Sequence, residues 1–595
     1  MTLDHQESQA AAAPAAGSWT AARVGVAVAA ALAVIRAAIH VRACWTSDAG
    51  IDHPAGVMIA MATDLTHGVF YRPLFGFEGY GGTRYFPLYF VLHASLLKLH
   101  VPILAAAYLL SLGAALALLL GMVCLLVRLG VEKWFAAAIT GTLLASVSAQ
   151  YAIVSPHADG LASALNVWGL ATIVRPNLSG RRIMVAAVLF VLAWSAKLTM
   201  GFGLIVAVLW LAHTGLKRRA VQLAAATTAG YALIAVLVIG CSEGRIIRIF
   251  AACALPATGW KRFLEGPAFM VWNVLPGDLT ILLLAFAAVT LLTGELLESP
   301  AKCLKQLPAL LFIATLIVTA CIYGSPGTSG NHLLDLQIAA LVLLGWMASQ
   351  SARLQKQLGT YALLLASLLP MGMATIRGHL RQSASPPIMT SGSRFQKVVD
   401  LARNSGKPVL AENPIIPILA GQSPYVLDPW MFTILQTQYP GFAQPLLECL
   451  RSRAFGLVVL VQNPETAYGR GWYATTHFGP GFTSALKDNY RLLSVIDGQF
   501  VYVPIGDSRP QSTALFTPRM TSPRCPATPD RQTARADQTC NHLTPHQTRG
   551  REERAFVPVD ETVVRTISNK KRGLQKQDGH RKQFRCAGHD LCWST

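Results

Sequence analysis

The chain has 595 residues, of which 53% are hydrophobic and only 13% charged. Soluble domains carry about 25% charge, so an ordinary soluble protein is excluded; apolar runs long enough to cross a hydrocarbon layer of roughly 30 Å recur through the first two thirds, and a polytopic helical membrane protein is expected. The net charge of +20 is not a nucleic-acid signal once it is located: residues 506–595 hold 16 Lys and Arg against 9 Asp and Glu, and much of the remainder sits in short loops between apolar runs, where basic residues record topology.

Residues 1–21, rich in Ala and Gln, read as a disordered cytoplasmic N-terminus. Ala22 to Val41 is a first span, retained because no small-residue cleavage site follows it. A long polar loop, 43–85, comes next, with Asp48 and Asp52 early and Arg72 and Arg84 later. Asp64 and Glu78 in the same loop read as ordinary surface charges. Phe86 to Leu99 is apolar but too short to cross, as an interfacial or re-entrant helix would be. Ile103 to Val127, Phe135 to Val154 and Leu161 to Val174 are spans. Met184 to Trp194 and Leu198 to Ala212, meeting at Ser195-Ala196-Lys197, are two short spans or one kinked one. Val221 to Gly240 leads into a polar loop, Cys241 to Pro276, and three more spans centre near residues 286, 315 and 340 before a last one at Tyr361 to Thr375.

With the N-terminus in the cytoplasm, the short loops at 128–133, 175–182, 214–219, 296–306 and 350–356 all fall inside. They hold 2, 3, 3, 2 and 2 basic residues, as the positive-inside rule requires. The turns at 155–160 and 324–332, on the other face, hold none. About eleven spans are expected, with loop 43–85, Asp159, Lys197, loop 241–276 and the 324–332 turn together on the outer side.

From Arg394 the composition changes. Helical spacing at Phe395–Asn404, Pro445–Arg453 and Phe482–Tyr490 alternates with strand patterns at Pro408–Ala411, Tyr425–Leu427, Gly456–Val461 and Phe500–Pro504. A small α/β domain over 394–505 is expected, outside the membrane. Residues 506–595 have the Pro-, Thr-, Arg- and Gln-rich composition of a disordered basic tail, and their abrupt change of character also fits a mis-assigned C-terminus. The 11 cysteines are scattered, without a CxxC pair or zinc-site spacing.

The order of elements carries a resemblance. A first span is followed by an outer loop with early carboxylates, then Gly68-Val69-Phe70-Tyr71 and Phe86-Pro87-Leu88-Tyr89. Later come Pro156-His157-Ala158-Asp159-Gly160-Leu161, Ser195-Ala196-Lys197 and Gly330-Asn331-His332-Leu333-Leu334. Over residues 22–380 this resembles membrane glycosyltransferases of the GT-C superfold, in the branch of protein mannosyltransferases and bacterial lipid A and lipopolysaccharide sugar transferases. The family often shows two adjacent acids in the first loop, whereas Asp48 and Asp52 are four apart.

The resemblance implies transfer of a sugar from a polyprenyl-phosphate donor to an extracytoplasmic glycan, lipid or protein acceptor, inverting at the anomeric carbon, in the cytoplasmic (inner) membrane with the active site on its outer face. Such a transfer needs a carboxylate to take the proton of the attacking hydroxyl. It also needs positive charge, from a metal such as Mg or Mn or from basic side chains, to stabilise the departing phosphate.

Asp52 or Asp48 is the candidate base, with Asp52 alternatively a cap for the Val57–Leu65 helix. Asp159 is the candidate second carboxylate or, with Asp52, a metal ligand, and alternatively a helix cap. Lys197 is a phosphate contact or a side chain snorkelling to the interface. Arg245 and Arg248, three apart, are candidates to clamp phosphate or touch lipid headgroups, Arg72 and Arg84 likewise, and His332 is a substrate contact or a turn residue. Asp335 is a possible partner of Lys197. In 394–505, Glu412-Asn413-Pro414 and Asp428-Pro429-Trp430 stand out, and Trp430, Trp472 and Tyr473 would stack on a sugar or pack in the core. A transporter or lipid flippase, and a non-catalytic envelope assembly protein, are the rival classes. The flippase class favours broken helices in matching halves with polar groups at mid-membrane, and no internal repeat is visible.

Overall fold

Helix α1 (Ala16–Ser47) ends at a tight turn where Asp48 takes a left-handed backbone, φ 55°, and α2 (His53–Thr66) starts five residues later. The computed structural model describes residues 16–506 apart from 77–78, 176, 255–259, 326, 329, 351–355 and 370–392. Most of the expected N-terminal disorder, Glu78, the end of the last expected span and the tail from 507 therefore lie outside the described residues.

Loop 43–85 is folded throughout its described length. After α2 it forms a hairpin, β1 (Phe75–Gly76) with β2 (Gly79–Tyr80), and leads into α3 (Pro87–Lys98). The bundle continues with α4 (Ile103–Arg128), α5 (Lys133–Thr142) and α6 (Val147–Val154), the last two bent by 89° at Ser146. It goes on through α7 (Ala158–Ile173), α8 (Gly180–Ala196), α9 (Gly201–His213) and α10 (Lys217–Cys241). Short helices α11 (Arg245–Cys253) and α12 (Trp260–Phe269) precede α13 (Leu279–Glu298), α14 (Pro300–Cys303), α15 (Leu307–Ile322), α16 (Leu333–Gln350) and α17 (residues 356–369).

Five of the described helices are long and apolar enough to cross a bilayer, and six if the bent pair is one span. Of the other helices among the eleven expected crossings, α7, α8, α9 and α15 fall short of that length, and the end of the last lies outside the described residues. The 184–212 run is two helices, since Lys197 is extended (φ −150°, ψ 117°) between α8 and the turn that opens α9. Helix α16 is buried along most of its length. It is the axis on which α4, α5, α7, α13 and α15 pack.

The C-terminal segment builds a four-stranded sheet ordered β3-β4-β6-β5, from β3 (Val409–Ala411), β4 (Leu457–Leu460), β5 (Tyr490–Ile496) and β6 (Gln499–Pro504). Strands β3 and β4 are parallel and the other pairs antiparallel. Helices α18 (Gln396–Asn404), α19 (Ile415–Leu419), α20 (Pro429–Gln438), α21 (Gln444–Arg451), α22 (Ala467–Thr475) and α23 (Phe482–Asn489) flank it. The Tyr425–Leu427 stretch, expected as a sheet strand, pairs instead with the first loop. The Tyr80 N–H donates to Tyr425 O at 2.7 Å, and the Leu427 N–H donates to Tyr80 O at 2.9 Å. Gly79 makes this possible: at φ +96°, any Cβ there would sit 2.2 Å from Tyr425 O.

A buried ion pair reinforces that seam. Arg72 binds both oxygens of Asp64 at 2.6 Å and also donates to Pro424 O (2.7 Å) and Ser423 Oγ (2.8 Å). Neither residue acts as the sequence reading has it. Asp64 is no free surface charge, and the Arg72 guanidinium is committed inside the fold instead of being presented to a phosphate. Removing one member of a buried pair strands the other charge, at a cost of roughly 3–5 kcal/mol. Arg72→Met is therefore expected to lower the melting temperature of the detergent-solubilised protein by several degrees, and an unchanged melting curve would contradict this role.

Candidate functional site

Three elements from distant parts of the sequence meet around Asp52. The residue is extended (φ −85°, ψ −175°) and caps α2, with Oδ1 accepting the Ala55 N–H at 2.9 Å. Capping uses only part of the carboxylate. The same oxygen lies 3.0 Å from His157 Nε2, and Oδ2 accepts the Tyr151 hydroxyl. Burial pushes the Asp52 carboxyl up, but the His157 charge, with hydrogen bonds from His157, Tyr151 and the Ala55 N–H, outweighs it and holds the group at about 2. Burial lowers the His157 imidazole, and the neighbouring Asp52 carboxylate more than reverses that.

Two residues on from His157, in the first turn of α7, Asp159 accepts Lys197 Nζ at 2.6 Å on one oxygen and Asn331 Nδ2 at 2.9 Å on the other. The N-cap of α7 is His157, so Asp159 is not the cap. Lys197 does not snorkel away: its ammonium also lies 3.9 Å from Asp335, whose other oxygen accepts Ser163 Oγ at 2.6 Å. The expected Lys197–Asp335 partnership is present.

A third cluster comes from the C-terminal segment. Asp428 lies 3.3 Å from His53 Nε2, next in sequence to Asp52. The His53 ring rests 4.8 Å from that of His477, and His477 Nδ1 is 2.6 Å from Glu412. Glu412 also accepts from Trp472 Nε1 (2.8 Å), the Tyr473 hydroxyl (2.6 Å) and the Val461 N–H (2.7 Å). Burial raises the Glu412 carboxyl, and the His477 and Tyr473 hydrogen bonds bring it down to about 2. Trp472 and Tyr473 therefore spend their polar atoms on Glu412.

Tyr85 lies among these groups. Burial raises its hydroxyl well above the ordinary range, and Asp428, Asp52 and Asp159 act in the same direction against Arg84. Arg84 donates to Ser325 Oγ at 3.3 Å. The turn at Gly327 passes so close to Arg84 and Trp430 that a Cβ there would lie 2.8 Å from the Trp430 indole nitrogen. His332 stands at the start of α16, its Nδ1 buried without a hydrogen-bond partner among the described residues.

Other candidates are not brought to this cluster. Asp48 is buried, and its carboxylate accepts the Tyr108 hydroxyl at 3.2 Å. Arg245 donates to Tyr71 O at 3.2 Å and pairs with Glu243 at 2.5 Å, while Arg248 is exposed on α11. Sequence reasoning missed Tyr151, His157, Tyr85, His53 and His477. The sequence-level signals were the place of His157 in the Pro156–Leu161 motif and the adjacency of His53 to Asp52.

The oxygens of the two carboxylates expected to hold a metal have partners within the protein. Both oxygens of Asp52 are taken by Tyr151, His157 and the Ala55 N–H, and both oxygens of Asp159 by Lys197 and Asn331. Among the described residues no three His, Cys, Asp or Glu side chains converge as metal ligands.

No protein-family model matches the chain, and no curated protein matches it. Among solved structures it is similar to the oligosaccharyltransferase of Archaeoglobus fulgidus in complex with zinc and sulfate, at 12% identity and TM-score 0.47 over 75% of this chain and 67% of that one. It is similar to the archaeal oligosaccharyltransferase AglB from the same organism with an inhibitory peptide and a dolichol-phosphate, at 11% identity and TM-score 0.47 over 83% and 75%. It is also similar to ArnT from Cupriavidus metallidurans bound to undecaprenyl phosphate, at 14% identity and TM-score 0.44 over 83% and 99%.

A carboxylate whose folded-state pKa is depressed stabilises the fold when ionised, and that contribution is complete above its unfolded pKa. For Glu412 the contribution is lost as the pH falls from about 4.5 toward about 2. Melting temperature should therefore drop through that window, and Glu412→Gln should flatten the dependence. Equal slopes for the two proteins would contradict the buried anion.

Proposed function

We propose that the chain is an integral-membrane glycosyltransferase of GT-C type, moving a sugar from a polyprenyl-phosphate donor to an extracytoplasmic lipid, glycan or protein acceptor with inversion. In this reading residues 22–380 form the membrane domain in the cytoplasmic membrane with the N-terminus inside, 394–505 are an outer α/β domain, and the site faces outward. One observation carries the reading. Asp52 is the most accessible of the clustered carboxylates, its side chain 29% exposed against 9% for Asp159 and 5% for Asp428, and it stands beside the Asp159–Lys197 pair.

In the reaction the acceptor oxygen attacks the anomeric carbon, the bond from that carbon to the donor phosphate oxygen breaks, and the hydroxyl proton passes to Asp52. A carboxylate as acidic as Asp52 is a weak base toward a free alcohol. It first orients the hydroxyl by accepting its hydrogen bond, and takes the proton as the new bond forms and the attacking oxygen becomes strongly acidic. His157 and Tyr151 hold the carboxylate in place for this. Lys197 and Arg84 supply positive charge toward the phosphate that accumulates charge as it departs, His332, kept neutral by burial, supplies a hydrogen-bond donor, and Arg245 and Arg248 on α11 meet donor headgroups farther out. Lys197 is also shared with Asp159 and Asp335, so it acts within a fixed network and not as a free cation.

A deletion strain should lack one sugar from an envelope glycan while retaining its lipid-linked donor, as read by mass spectrometry. An unchanged glycan profile in cells that normally express the gene would overturn the proposal. Asp52→Asn should reduce product by at least about 100-fold. Asp48→Asn should restore near-wild-type glycan, since asparagine tolerates the left-handed backbone at that position. The reverse ranking would move the role to Asp48.

A further inference from the structure

The residue before Asp52 and the residue after it are both gripped by the C-terminal α/β segment. The carbonyl of Ile51 accepts Arg394 Nη2 at 2.7 Å and Asn413 Nδ2 at 3.1 Å. On the other side, His53 meets Asp428 at 3.3 Å, with the two side chains 15% and 5% exposed. The Asp428 anchor is itself rigid: its Oδ1 accepts the N–H groups of Trp430 and Met431, each at 3.1 Å, as the N-cap of α20. The His53 ring also packs against His477, tilted at 56°, and Glu412 fixes His477 through its own fully used carboxylate.

We propose that Asp428 is a positioning residue for the transfer: through its ion pair with His53, the α/β segment sets where the Asp52 carboxylate stands relative to Tyr151 and His157. This rests on Asp52 being the reacting carboxylate. The bundle supplies what Asp52 faces, and the α/β segment supplies the grip that holds it there. One peptide unit separates the held imidazole from the reacting carboxylate, so a displaced His53 carries Asp52 with it. Burial lowers the His53 imidazole, but Asp428, Asp52 and Glu412 together raise it above its ordinary value. A misplacement of about 1 Å at a reacting group costs up to about 100-fold in rate.

The test uses the full chain, purified into lipid vesicles, acting on a lipid and envelope extract of the deletion strain, with product followed by mass spectrometry. Asp428→Asn keeps the α20 cap and removes the charge; His53→Gln removes the partner. Each single variant should lower kcat by about 10- to 100-fold with KM within about twofold, and the double variant should be no slower than the worse single, because both cut the same connection. Wild-type kcat in Asp428→Asn, or losses that multiply in the double variant, would overturn the inference.

Should the wild-type protein itself make no product, the transferase reading fails, and ¹⁵N-histidine NMR of the same proteins still decides the positioning. Asp428→Asn should move the signals assigned to His53 by their loss in His53→Gln, and also those of His157, whose Nε2 lies 3.0 Å from Asp52. An unmoved His157 would overturn the positioning role.

Discussion

A charge taken out of water must meet an opposite charge or a full set of hydrogen bonds. In this chain the partners come from segments far apart in sequence. Arg72 finds Asp64 and then reaches Ser423 and Pro424. Lys197 finds Asp159 and Asp335, and His53 finds Asp428. Lys197 with Asp159 and Asp335 ties helices of the bundle to one another, while Arg72 and His53 tie the first loop to the α/β segment, so the polar groups act as registration marks between parts that apolar packing alone would let slide. The apolar seam agrees: Tyr80 pairs as a strand with Tyr425–Leu427 while its ring packs against Phe432 and Phe442.

Much of the layout was legible because it depends on local pattern. Apolar runs marked the helices, and the runs of basic residues marked one set of loops. Lys197 was visible as a charge between two apolar runs, and its expected partner Asp335 proved to be within reach. The strand patterns at 408–411, 456–461 and 500–504 lie on β3, β4 and β6. Strand β5 was hidden because it is an edge strand: Arg491 to Leu493 are exposed, and the stretch lacks a buried apolar run. Helix α20 was missed where Pro429 follows Asp428, a pairing that reads as a turn but here starts a helix with a capped first turn.

The site was legible in its residues and illegible in its pairings. Nothing in the spacing of Asp48 and Asp52 says which one turns toward the bundle. That follows from the left-handed turn at Asp48, which sends its carboxylate to Tyr108, while Asp52 emerges extended at the head of α2. His157 was quoted only as part of the Pro156–Leu161 motif and given no role, because its role depends on a carboxylate 105 residues away. The acids of 394–505 stood out by composition, yet only the assembled fold shows that Asp428 and Glu412 spend their charge on histidines and not on a ligand.

Buried ion pairs are a costly way to join two surfaces, since apolar side chains of the same volume hold them at least as well. Their use here, beside a chain so rich in leucine and alanine, points to direction as the property being secured. An apolar contact fixes distance and leaves rotation loose, whereas a carboxylate bound at two oxygens, or an imidazole held between a carboxylate and a second ring, fixes orientation as well. The gradient of exposure fits this division of labour: Asp159, Asp335, Asp428 and Glu412 are covered and held by partners within the protein, and they shape a field. Asp52 alone among them keeps nearly a third of its side chain open, so the covered charges serve to aim the one carboxylate a substrate can reach.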